Sequence, residues 1–427
     1  AYSLGGGTYT GIEAVSNNVQ SLAEPRVQTG KWTMFYMALS LSFTAGGIIL
    51  LYLLWNAAPA AGVTLNAVTF QAIIQSFGWQ SPTLNQGALW LVLALEGGLL
   101  LVAANTGFLG GPAVLANMAA DSWVPHQYRY LSTRLVTQNG ILLFGLGALG
   151  ILVVTRGMVS LLVVLYSINV FLTFSLSLLG LCTYWWHARQ ADRRWLPRLG
   201  LSLLGLAVTF GILLITLVEK FAEGGWMTLL ITGVVIALCL INHGHYMKVR
   251  RKLQAADAAL CWPERRCMVT PPPLDPAQPT AVFVVGSSRS GGVYALEWVR
   301  REFPGHFRNF VFMDVRTVDA QSYRGAEDVE RMRERAEAAL RYFVDFCHSN
   351  GLAAKSYLAF GTDPIEALTK LAEEVRRDFP QSIFFTSKLI FDRDNWYIRQ
   401  LHSEAALTLL RRLHLRNVPM VILPMRV

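Results

Sequence analysis

The sequence predicts an α-helical membrane bundle followed by a cytoplasmic α/β domain, and three observations predict it. Of 427 residues, 53% are hydrophobic and 15% are charged, where a soluble globular domain carries about 25% charged residues. The charges are unevenly spread: no Lys or Arg occurs between Lys31 and Arg129, whereas 281–427 is charge-rich. The apolar part divides into runs of about 20 residues, the length that crosses a hydrocarbon core. The polar part alternates short strand-like runs with amphipathic ones.

Six runs qualify as spans: 33–55, 88–109, 137–155, 158–182, 199–218 and 225–246. Residues 1–22 make a poorer seventh, too polar and too rich in glycine for an ordinary span. If 23–31 is cytoplasmic, inside ends carry Arg26, Lys31, Arg129, Arg134, Arg189, Arg193, Arg194, Arg198, Lys248, Arg250, Arg251 and Lys252, and outside ends carry Arg156 and Lys220. That asymmetry orients the bundle, and Trp32, Trp90, Trp185, Trp186 and Trp226 fall near span ends as interfacial aromatics do. The transmembrane domain is 1–252. The linker 253–280, with TPPPLDPAQPT, is too proline-rich for a helix and should be extended.

The domain 281–427 reads in order as strand AVFVVG, helix VYALEWVRREF, strand FRNFVFMDV, a charged helix over 324–350 with Ala339, Leu340, Phe343 and Phe346 on one face, and strand SYLAFG. Helix DPIEALTKLAEEVRRDF follows, with Asp363 as its cap and Pro364 at its first position. Strand SIFFT, helix 396–416 and strand VPMVILP close the series. Five strands alternating with four helices imply a parallel α/β sandwich.

The net charge of +9 lies largely beside the apolar spans, so nucleic acid is not the expected partner; the lipid bilayer is. Five scattered cysteines read as reduced thiols. Cys261 and Cys267 flank CWPERRC without a following ligand pair, so no structural metal is expected. The chain begins Ala-Tyr-Ser without a basic n-region; it reads as a fragment lacking its natural start rather than as a signal peptide.

The opening stretch GGGTYTGIEAVSNN is the first functional candidate. Backbone without partners survives at membrane depth only against protein or a water-filled cavity, and a broken helix offers free N–H and C=O groups as ion ligands. Gly5–Gly7 would let the helix unwind, Thr8 and Thr10 offer hydroxyls, and Glu13 a charge. The competing reading is a frayed end in an outside loop. Glu96, followed by Gly97 and Gly98, is a second candidate acid; it reads equally as a glutamate at the outer interface.

TGIEAVSNNVQSLAEP, then ANTGFLGGPAVLANMAADSWVP and STRLVTQNGIL, resemble the second half of transporters in the amino acid–polyamine–organocation superfamily. The first block looks like their sixth helix, the second like the eighth helix, its cytoplasmic loop and the start of the ninth. The resemblance covers residues 1 to about 250 and implies the second half of a LeuT-like inverted-repeat fold. Within the superfamily the chain resembles the KimA-type potassium–proton symporters, which carry T-G-x-E in the broken sixth helix, matched by Thr10-Gly11-Ile12-Glu13, and end in a universal-stress-protein-like domain. The resemblance implies that Thr10 and Glu13 sit at a cation site lined by Tyr166 of VVLYSINVF, with Thr8 nearby. Tyr166 taken alone reads as a packed aromatic. Glu13 could be a cation ligand or the carrier of the coupled proton.

The α/β domain departs from the nucleotide-binding pattern of universal stress proteins: SIFFTSKLIFDRDNW lacks the glycine signature, which speaks against ATP. Gly286, Ser287, Ser288, Arg289 and Ser290 precede a helix and could hold a phosphate, or form only a turn. The resemblance implies cyclic di-AMP as a regulatory ligand there, a homodimer through this domain, and a bacterial inner membrane location. No cofactor and no enzyme constellation is expected: His243 and His245 read as interfacial, and Asp314 and Asp319 lack a partnering base. Proton-coupled potassium uptake is the leading function. An amino acid or amine permease on the same scaffold is the alternative, and a membrane-tethered sensor without transport is the third.

Overall fold

The computed structural model describes residues 15, 22–60, 62–79, 81–132, 134–190, 194–260, 272–286, 289–317, 326–390 and 405–426. The first half is helical. Helix α1 (Arg26–Leu54) is followed by a short helix α2 (Leu65–Ser76), whose first turn is capped by the Thr64 hydroxyl accepting from Ala67 N. Helix α3 runs over Pro82–Ala120, α4 over Gln138–Val154, α5 over Val159–His187, α6 over Trp195–Lys220 and α7 over Trp226–Leu260.

Among the described residues, four stretches are long and apolar enough to cross a membrane: Arg26–Leu54, Pro82–Ala120, Val159–Gln190 and Trp195–Ala259. Helix α4 is as apolar but has 17 residues, about 25 Å of rise against a core of about 30 Å. The run Trp195–Ala259 holds two expected spans because α6 and α7 are joined without a loop, through one π-helical turn, Phe221–Gly225. Gly224 makes that junction, at φ 116°, and a Cβ there would lie 2.3 Å from Leu161 Cδ1. Only glycine fits such a backbone in that space.

The chain divides into two compact units, Ala1–Gly111 with Leu143–Val235, and Pro112–Leu142 with Ile236–Val427. In the first, α5 and α6 pack through Val164, Ile168, Phe171 and Leu213. Ser175 Oγ donates to Thr209 Oγ1 at 3.4 Å between the same two helices. Small residues and hydroxyls at a contact are how helices approach in lipid, where apolar burial gives no drive.

The second unit contains a five-stranded, all-parallel sheet in the order β3-β2-β1-β4-β5. Its strands are β1 (Thr280–Val284), β2 (Asn309–Thr317), β3 (Ala353–Gly361), β4 (Ser382–Ile390) and β5 (Met420–Arg426). Helices α8 (Arg289–Glu302) and α9 (Ala326–Ser349) cover one face; α10 (Pro364–Asp378) and α11 (Ala405–His414) cover the other. Alternation decides which side chains go where. Phe283, Phe312 and Phe385 point to the α8/α9 face with Leu296, Leu340 and Phe343, while Val282, Val311 and Phe384 meet Leu371, Val375 and Leu409.

Every expected strand and helix of this domain has a counterpart, and Asp363 caps α10 as expected, accepting from Ile365 N at 2.8 Å and Glu366 N at 3.1 Å. Two boundary differences bear on the candidate loop. Helix α7 continues to Leu260, so the first residues of the expected linker, LQAADAAL with good helix formers, are helical. Helix α8 begins at Arg289, so half of the expected glycine-serine loop is already its first turn.

Candidate functional site

The expected cation site divides between what is described and what is not. Thr8, Thr10 and Glu13 lie outside the described residues. Tyr166 is described, on α5, and is 43% exposed. It lines a cavity of about 760 Å³ formed by α4, α5 and the first turns of α7. The walls are mostly aliphatic, and the polar lining comes from Tyr166, Asn169, Thr155, Thr228 and Thr232. The Thr232 hydroxyl donates to Asn169 Oδ1 at 3.1 Å, and the Thr155 hydroxyl to Ile151 O at 2.8 Å. Thr228 is 2% exposed, and its hydroxyl has no hydrogen-bond partner among the described residues. A buried unsatisfied hydroxyl costs about 1–3 kcal/mol, so a solute or water that bonds it gains. Asn169, one turn from Tyr166, escaped the sequence reading because an Asn on an apolar helix carries no motif.

Glu96 is half-buried on α3, and two other helices reach it. Asn66 Nδ2, in the first turn of α2, donates to Glu96 Oε1 at 2.7 Å. The Tyr52 hydroxyl, near the end of α1, donates in turn to Asn66 Oδ1. The chain of donors therefore runs tyrosine, amide, carboxylate, and ends on the group that can hold negative charge. Among the described residues no Lys, Arg or His lies within ion-pair distance of Glu96. Neither Asn66 nor Tyr52 carried a sequence signal.

At the α/β domain the candidate loop is short. Ser287 and Ser288 lie outside the described residues; Gly286 is exposed. Arg289 is exposed, with its guanidinium 4.6 Å from the centre of the Tyr342 ring. Ser290 is 1% exposed, and its N–H donates to Asp257 Oδ1 at 2.7 Å. Asp257 belongs to the end of α7, so a carboxylate from the helix that precedes this domain occupies an N-terminal N–H of α8. The glycines that follow serve packing. A Cβ on Gly291 would lie 2.5 Å from Ser387 Oγ of β4, and one on Gly292 2.6 Å from the Phe343 ring and 2.8 Å from Val285 Cγ1. The strand order places this turn beside the β1/β4 boundary, the topological switch point where open parallel sheets bind ligands.

Other singled-out residues resolve into structural roles. Trp123 stacks on His243 with ring centres 4.1 Å apart, and His126 on Tyr246 at 4.3 Å, so the loop after α3 is clamped on α7. His126 Nε2 also lies 3.2 Å from Ser122 Oγ; burial first, then nearby Arg129, holds its imidazole below the ordinary value. His243 is thus a stacking partner rather than a bare interfacial residue. Asp314 is 4% exposed, with Arg316 Nε 2.7 Å from its Oδ2; burial pushes its carboxyl up, and Arg316 draws it partly back. Asp319, Cys261 and Cys267 lie outside the described residues. The buried Cys347 thiol is pushed up to about 12 by desolvation.

No family model matches the chain. It is similar to the potassium transporter KimA of Bacillus subtilis (strain 168), 28% identical over 257 residues, which are 60% of this chain and 40% of that protein. The chain thus matches less than half the length of the curated relative.

Proposed function

We propose that this chain is part of a secondary active transporter of the amino acid–polyamine–organocation superfamily that takes up potassium with protons. The observation that carries the reading is the likeness to a potassium transporter over 257 residues, supported by four apolar stretches of membrane length. In this reading Glu13, Thr10 and Thr8 supply carboxylate and hydroxyl oxygens to a dehydrated cation, loosened backbone supplies carbonyls, and Tyr166 closes the site from α5. A carboxylate there repels a substrate carboxylate and favours a cation. The α/β domain faces the bacterial cytoplasm, pairs the transporter as a homodimer and holds the regulatory ligand, cyclic di-AMP. An anionic ligand at the β1–α8 turn would have to compete with Asp257 for the Ser290 N–H.

A second reading, an amine or amino acid permease, is favoured by one observation: the cavity beside Tyr166 is mostly aliphatic, which suits an organic solute better than a bare ion. The deciding experiment is growth of a potassium-uptake-deficient bacterium on low potassium with the full-length gene, beside its Glu13→Gln variant. Wild type should grow and the variant should not. Growth of both, or of neither, breaks the potassium reading, and growth of both also removes the need for charge at residue 13.

A further inference from the structure

The Glu96 relay has an arrangement that the proposed cation site does not account for. The stretch from 55 to 81, which joins α1 to α3, contains no Lys or Arg, whereas the start of α1 carries Arg26 and Lys31 and the loop after α3 carries Arg129 and Arg134. The joining stretch therefore lies on the outer side. Helix α2 within it has 12 residues, about 18 Å, too short to cross a core of about 30 Å. Glu96 lies fourteen residues into α3, about 21 Å from its start. For Asn66 to donate to Glu96 at 2.7 Å, the first turn of α2 must lie well down α3 rather than at its end. A carboxylate at such a place is costly unless it is given donors or a proton. Among the described residues it has one amide donor, itself backed by a tyrosine, and no cation within ion-pair distance.

We propose that Glu96 is a proton-binding site on the outer side of the transporter, and that Asn66 and Tyr52 make it report its charge to α2. The proposal rests on the transport reading above and adds to it a site separate from residues 8–13. The step is a bare protonation: a proton from outside water binds a Glu96 carboxylate oxygen, with no other reactant. The Asn66 N–H bond to the ionised carboxylate is charge-assisted; to the neutral acid it is an ordinary hydrogen bond of about half the strength. Taking up the proton therefore loosens α2 from α3, and releasing it draws α2 back. The titratable group facing Glu96 among the described residues is Tyr52, through Asn66.

Two measurements on the purified full-length transporter test this. The first is rubidium-86 movement in proteoliposomes, as accumulation driven by an inward proton gradient and as exchange against internal potassium at equal pH. Glu96→Gln should lower gradient-driven accumulation by about tenfold or more while exchange continues. The second is pH-difference infrared spectroscopy without substrate. Acidification should raise a carboxylic C=O band that Glu96→Gln removes and Asn66→Ala moves to higher frequency, because that carbonyl has lost a donor. Accumulation unchanged in Glu96→Gln, or a band that survives it, overturns the proposal. So does loss of both accumulation and exchange in a variant that elutes and melts like wild type. If wild type itself neither accumulates nor exchanges rubidium, the potassium reading has failed, and the infrared band alone decides Glu96: its loss in Glu96→Gln keeps the proton site, its absence from wild type ends it.

Discussion

Gly292 and Gly286 stand six residues apart in one glycine-serine run, and their surroundings differ sharply. A methyl group at Gly292 would press on the Phe343 ring at 2.6 Å and Val285 at 2.8 Å, whereas nothing lies within 4 Å of a methyl at Gly286. Gly292→Ala should therefore destabilise the α/β domain by about 1–3 kcal/mol, the usual cost of overpacking. Gly286→Ala should stay within about 0.5 kcal/mol of wild type. Denaturant unfolding of the two variants checks this, and equal midpoints would show that α8 does not sit as closely on β1 and α9 as described. The glycines of this run looked like a phosphate cradle in the sequence because a ligand loop and a tight helix–sheet contact ask for the same residue, for the same lack of a Cβ. Only the positions of Phe343 and Val285 separate the two.

At the scale of elements, the loop after α3 is tied to α7 by the paired stacks Trp123–His243 and His126–Tyr246. The His126 imidazole is held below its ordinary value, first by burial and then by Arg129. The docked loop therefore binds a proton less readily than the undocked one. Docking is complete above the ordinary histidine value of about 6.5 and weakens as pH falls through it toward the lower docked value. Backbone amides of 121–130 should show lower hydrogen-exchange protection at pH 5.5 than at pH 7.5. His126→Phe keeps a ring for Tyr246 and removes the titration, so in that variant the difference should shrink; a difference of undiminished size would assign the effect to another group. Sequence reading singled out His243 and missed its partner, because Trp123 lies on a separate element. The α6–α7 junction is a similar case. The two hydropathy peaks were legible, but Gly224 at φ 116° and the π-helical turn that joins them depend on Leu161 lying against that glycine.

For the molecule as a whole, the contact between Asp257 and Ser290 matters most, because it connects the end of α7 to the first βα turn of the α/β domain. Helix α7 has 35 residues without a break, about 52 Å of rise. Its Asp257 carboxylate does for α8 what Asp363 does for α10, but from another element. Removing a capping side chain costs about 0.5–2 kcal/mol. Asp257→Ala should therefore raise exchange of the Ser290 amide by about 2- to 30-fold while that of the β1 amides, deep in the sheet, stays near wild type. An unchanged Ser290 amide would mean that the two elements are not tied there.

The sequence by itself determined which half is built of long apolar helices and where strands alternate with helices. Burial imposes period, length and charge placement on each segment, and those properties are local. The same holds for the Asp363 cap of α10, which is written in adjacent residues. Tertiary structure alone decided which polar groups meet: Glu96 with Asn66 across 30 residues of chain, Tyr52 with Asn66 across 14, and Asp257 with Ser290 across 33. No repeat or spacing encodes such pairs, because they depend on how separate helices pack. A single hydrogen bond to a buried charge is also too small a part of the folding free energy to leave a pattern in the chain.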